Sequence, residues 1–79
     1  MARITRLIKE EKIRSRLHEI VDCTYSVFQI DGKTYIQIDT YGTKEREFVG
    51  KASQNIQIDR EAAIQLKRIL LESFPDIFR

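Results

Sequence analysis

Cys23-Thr24-Tyr25-Ser26-Val27-Phe28-Gln29-Ile30-Asp31-Gly32-Lys33-Thr34-Tyr35-Ile36-Gln37-Ile38-Asp39-Thr40-Tyr41 is the stretch whose reading decides the fold. Residues 23–30 and 33–41 are rich in Thr, Tyr, Val, Phe and Ile, side chains that suit a pleated, half-buried surface. Asp31 and Gly32 between them accept the positive φ angles of a two-residue turn. A hairpin closed there pairs Ile30 with Lys33, Phe28 with Tyr35, Ser26 with Gln37 and Thr24 with Asp39, all on one face. The other face then carries Cys23, Tyr25, Val27, Ile36, Ile38 and Thr40, apolar enough to be the core side.

Working outward, residues 52–58 alternate small or polar residues with Ile56 and Ile58 and read as a further strand. Residues 42–51 are polar and charged apart from Phe48 and Val49, and both a long loop and a short extra strand fit them. Asp59 is a good N-cap with Glu61 in the first turn, and helix formers run to Ser73 before Pro75 stops them, which predicts a helix over 60–73. Ala63, Leu66, Leu70 and Phe74 form one stripe of that helix. Ile64 and Leu71, seven residues apart, lie on a separate flank that one sheet would not cover. Towards the N-terminus, Ile4, Leu7, Ile8, Ile13, Leu17, Ile20 and Val21 fall at helical spacings with a phase break around residues 9–12, which predicts a basic helical segment over 1–21. The expectation is an α+β domain spanning 1–79: an antiparallel sheet, the hairpin plus one or two further strands, backed by the C-terminal helix, with a second helix at the N-terminus.

Composition narrows what such a domain can do. Seventy-nine residues, 42% of them hydrophobic, support one small core, and a single cysteine offers no disulfide to reinforce it. Dimerisation is a natural way for a chain of this size to gain buried surface, and the Ile64 and Leu71 flank is its candidate interface. The basic, amphipathic start lacks the apolar run of a secretory signal or membrane span, and the unpaired thiol Cys23 suits a reducing compartment, so the expected location is the cytoplasm. The formal charge of +2 hides an asymmetry: residues 1–16 hold six cations and two carboxylates, a local +4, leaving −2 elsewhere. A basic arm on a near-neutral body suits a polyanion, and it also suits an ordinary solvated helix.

Chemistry is hard to find. His18, Asp22 and Cys23 are the nearest approach to a nucleophile set, but a cysteine enzyme needs its thiol activated by a neighbouring base or a helix terminus, and this spacing secures neither. One His and one Cys fall short of a zinc set. Gly32, Gly42 and Gly50 are too widely spaced for a phosphate-cradling loop, and residues 50–53 lack the preceding glycine that a nucleotide loop requires. The expectation is a non-enzymatic binding protein with no catalytic residues, metal or cofactor.

The hairpin supplies a binding surface. Phe28, Ile30, Lys33, Tyr35, Gln37 and Tyr41 mix aromatic rings with amide and cationic groups on one face, the combination single-strand binders use to stack bases beside phosphate-binding Lys and Arg. Lys33, Lys44, Arg46 and Lys51 would supply the charge. Two alternatives remain open: Phe28 and Tyr35 as a cross-strand pair buried under the N-terminal helix, and the same face as a protein-docking surface of a small interaction module, regulator or inhibitor.

From Tyr25 to about Leu71 the order of strands, polar loop, Gly50-Lys51, Ile56-Gln57-Ile58, an acidic cap and Ala63-x-x-Leu66-Lys67-Arg68-Ile69-Leu70 resembles the positive-cofactor-type transcriptional coactivators. The resemblance implies a curved antiparallel sheet backed by a helix, dimerisation through helices, and single-stranded DNA binding by the sheet. Carried over by position, Lys51 would line the groove, and Ile64, Ile69 and Leu71 would serve the dimer. The chain departs from that pattern in its acidic Glu45 and Glu47, its long N-terminal arm and its fewer strand cations. The residues around Asp39-Thr40-Tyr41-Gly42 and 50–59 are also similar to small uncharacterised proteins of bacteria and their mobile elements.

Overall fold

The computed structural model describes residues 1–12, 14–41 and 54–78. Strands β1 (Ala2–Ile4), β2 (Cys23–Ile30), β3 (Lys33–Thr40) and β4 (Gln54–Ile58) form one sheet in the order β1-β4-β3-β2, and helix α1 (Arg60–Ser73) follows β4 directly. The fold is α+β, as the sequence pattern indicates.

The hairpin forms in the expected register, with Ile30 opposite Lys33, Phe28 opposite Tyr35, Ser26 opposite Gln37 and Thr24 opposite Asp39. Asp31 at φ 53° and Gly32 at φ 76° take the two left-handed positions of the turn. Such a turn twists in the same sense as the strands it joins. β4 then pairs antiparallel with β3, placing Ile56 beside Ile38 and Ile58 beside Ile36.

α1 starts where the sequence places it. The Asp59 side chain accepts a 3.0 Å hydrogen bond from the Ala62 amide, satisfying one of the donors that every helix start leaves open. Phe74 donates its amide to Leu70 at the other end, and Pro75–Phe78 continues as a short 3-10 turn. Of the expected stripe Leu66 and Leu70 are half-covered but Ala63 is exposed, and Ala62, at 1% exposure, is the buried alanine, with Gln65 half-covered beside it. Phe74 is exposed.

Two expectations are overturned. Among the described residues there is no N-terminal helix: Ala2–Ile4 is a strand, and residues 5–12 and 14–22 have no regular secondary structure. The sheet is therefore mixed rather than antiparallel, because β1 runs parallel to β4 with Arg3 opposite Gln57. The physical reason lies in competing partners for the same backbone groups. Asp59 donates its amide to the Ile4 carbonyl, the Gln65 side chain donates to the Thr5 carbonyl at 3.1 Å, and the Leu7 amide donates to the Gln65 carboxamide at 2.8 Å. These bonds hold residues 4–7 to β4 and α1, where a helix would have used those groups internally. Farther along, Leu17 and Ile20 are 99% and 96% exposed, so no apolar stripe is being buried to offset the cost of helix nucleation.

The core side of the sheet is only partly covered. Ile4, Ile36, Ile38 and Ile58 are half-buried, while Tyr25 and Val27 on the border strand remain 74% and 59% exposed. No helix among the described residues is long and apolar enough to cross a membrane.

Candidate nucleic-acid interface

Register alone assembles the polar face. Strand residues alternate between faces, so Thr24, Ser26, Phe28 and Ile30 of β2 stand with Lys33, Tyr35, Gln37 and Asp39 of β3, Asn55 and Gln57 of β4, and Arg3 of β1. Phe28 and Tyr35 stack with ring centroids 5.6 Å apart and planes 26° from parallel. Arg3 places its guanidinium carbon 5.9 Å from the centre of the Tyr35 ring, a cation-π contact that links β1 to the aromatic pair.

A row of side-chain hydrogen bonds crosses the face beside the aromatic pair. The Gln57 amide nitrogen donates to Gln37 Oε1 at 3.0 Å, and Gln37 Nε2 donates to Asp39 Oδ1 at 3.0 Å. Gln37 thus has both ends of its carboxamide engaged, which fixes its orientation but leaves less of it free to read a partner. Tyr41 joins the face through a 3.2 Å hydrogen bond between its hydroxyl and that of Thr24.

At the turn end the face opens into a groove of about 490 Å³ lined by Arg3, Lys33, Tyr35, Asp59, Arg60 and Glu61, among others. Three cations meet two carboxylates there. Asp59 is held below the usual carboxylate range, chiefly by the hydrogen bond from the Ala62 amide, against a smaller opposing effect of desolvation, with Thr5, Arg3 and the Glu61 amide adding to the stabilisation of its charge. It stays a cap anion beside Arg3 rather than a proton donor.

Of the residues expected at the interface, Phe28, Lys33, Tyr35, Gln37 and Tyr41 lie on this one face. Lys44, Arg46 and Lys51 lie outside the described residues. Burial of the aromatic pair under an N-terminal helix is excluded by the absence of that helix, although Phe28 and Tyr35 are half-covered. Arg3 was expected only as one cation of the basic arm, not on the sheet face. Its signal is faint: Ala2, Arg3 and Ile4 alternate as a strand does, but three residues are too few to separate that pattern from helical spacing.

The expected dimer residues Ile64, Ile69 and Leu71 are all solvent-exposed on α1. Cys23 is exposed at the start of β2, not enclosed as a core residue. Among the described residues no group of three or more His, Cys, Asp or Glu could hold a metal ion. No protein-family model matches the chain, and neither a curated protein nor a solved structure shows significant similarity to it.

Proposed function

We propose that this protein is a non-enzymatic, cytoplasmic binder of single-stranded nucleic acid with little sequence preference, and that the polar face of its sheet is the contact surface. The observation that carries the reading is the Phe28–Tyr35 stack with Arg3 set against Tyr35, its inner member. Flat rings offer every base a stacking partner, and a guanidinium at the ring can turn to a phosphate as a base arrives. Lys33 flanks the pair on β3, and Lys44, Arg46 and Lys51 extend the cationic path along the sequence. Gln37, already bonded on both sides, supports the face more than it selects a base. Among the described residues Asp39 is the one strand carboxylate on this face, and its bond from Gln37 engages one of its oxygens.

Fluorescence anisotropy with a labelled single strand, at low and at physiological salt, tests the reading directly. Saturable binding that weakens as salt rises is expected, because phosphate contacts release counterions. No saturable binding at low salt would refute it. A protein-docking module is the second reading, favoured by the exposure of Tyr25, Val27 and Ile30 on β2. An apolar protein contact would respond far less to salt.

A further inference from the structure

Among the described residues, β2 stands at the border of the sheet with no strand beyond it. Border strands present unpaired amides and carbonyls, and proteins that stay monomeric blunt them with Lys, Pro, bulges or short length. β2 has none of these protections. Its eight residues include no charged residue, proline or glycine, and it pairs with β3 one residue to one without a bulge.

The turn also determines which groups face outward. The two residues flanking a two-residue hairpin turn exchange both hydrogen bonds, and bonded pairs then alternate along the ladder. With Ile30 opposite Lys33, the amides of Thr24, Ser26, Phe28 and Ile30 point to β3, and those of Cys23, Tyr25, Val27 and Gln29 point out of the sheet. Tyr25 and Val27 also carry the uncovered part of the apolar face.

We propose that β2 pairs antiparallel with β2 of a second copy across a two-fold axis, joining two four-stranded sheets into one. An uncharged strand meets its own antiparallel image without like-charge contacts, which makes the border self-complementary. Ala62 is the only fully buried described residue, so the fold needs permanent cover, and a second copy is the partner always present at fixed stoichiometry. An axis perpendicular to the sheet keeps both polar faces on the same side, so the two Phe28–Tyr35 pairs share one continuous surface. The dimer stands whether or not that surface binds nucleic acid.

Analytical ultracentrifugation with backbone amide exchange by NMR tests this on the full chain. The expected result is a species of twice 9.3 kDa in which the Tyr25, Val27 and Gln29 amides exchange slowly, losing that protection on dilution to monomer. The double variant Tyr25→Lys with Val27→Lys should be monomeric, since both side chains are exposed in a single copy and a lone sheet tolerates them. A wild-type monomer at high micromolar concentration would overturn the proposal. So would a dimer whose Tyr25, Val27 and Gln29 amides exchange as fast as those of residues 5–12, a readout that holds even if the variant fails to fold. Dissociation by Leu71→Glu together with fast-exchanging β2 amides would move the interface to the helix flank, which also overturns it.

Discussion

Replacing Tyr35 with Ala removes the central platform of the polar face. A base stacked on an aromatic side chain contributes about 1–3 kcal/mol. The Tyr35 ring already has a partner in the Arg3 guanidinium at 5.9 Å, and a cation-π contact at an exposed site is worth about 0.5–1 kcal/mol. An incoming base forfeits that contact, so the net loss from Tyr35→Ala is about 1.5 kcal/mol, or roughly tenfold in Kd. Tyr35→Phe keeps the ring and should bind within about twofold of the wild type by the same stacking argument. Anisotropy titrations with pyrimidine-rich, purine-rich and mixed single strands give the magnitude. Urea unfolding of each variant guards against a trivial explanation, because loss of the Phe28 partner itself costs about 0.5–1.5 kcal/mol of stability. Unchanged affinity in a folded Tyr35→Ala protein would refute base stacking at this position, and a loss confined to one sequence would refute the absence of sequence preference.

Arg3→Gln should weaken binding evenly across sequences and reduce the slope of log K against log salt by about 0.7, the share of one phosphate contact on a single strand; an unchanged slope would place Arg3 away from the phosphates. Gly32→Ala places a Cβ in open space at φ +76°, so its effect is purely conformational, and a loss of about 1 kcal/mol should appear in the urea midpoint. A midpoint equal to the wild type would mean that the turn relaxes freely. The lowered pKa of Asp59 makes its stabilising contribution complete above the unfolded value of 3.8 and progressively lost as pH falls through the folded value. Asp59→Asn keeps a capping oxygen but cannot titrate, so its thermal midpoint should fall less steeply with acid than that of the wild type; parallel curves would contradict the assignment.

The hairpin and α1 are legible because their signals are local. Asp31-Gly32 specifies a turn, the turn sets the register, and the register puts Phe28, Lys33, Tyr35 and Gln37 on one face without knowledge of any other element. Asp59 and Pro75 bracket the helix in the same way. β1 is illegible for the converse reason: its partner lies more than fifty residues later, and Ile4, Leu7 and Ile8 imitate helical spacing. The place of Arg3 on the sheet face is hidden with it, since the cation reaches Tyr35 only once β1 is placed beside β4. The exchange of Ala62 for Ala63 as the buried alanine of α1 has a similar origin. Ala62 and Ala63 are equivalent as helix formers, and the direction in which the chain leaves β4 decides which turns inward.

The parallel pairing of β1 with β4 bears on how the chain acquires its structure during synthesis. Residues 2–4 leave the ribosome well before the edge they join, which is absent until residues 54–58 have followed. The hairpin and the β3–β4 ladder can form in sequence as they emerge, each closing a shorter loop than β1 must close. β1 therefore docks after the rest of the sheet, assisted by the Gln65 contacts to Thr5 and Leu7 that exist only once the helix is made. Arg3 arrives at Tyr35 in the same step, so the aromatic pair gains its cation only after β4 and α1 have followed the hairpin.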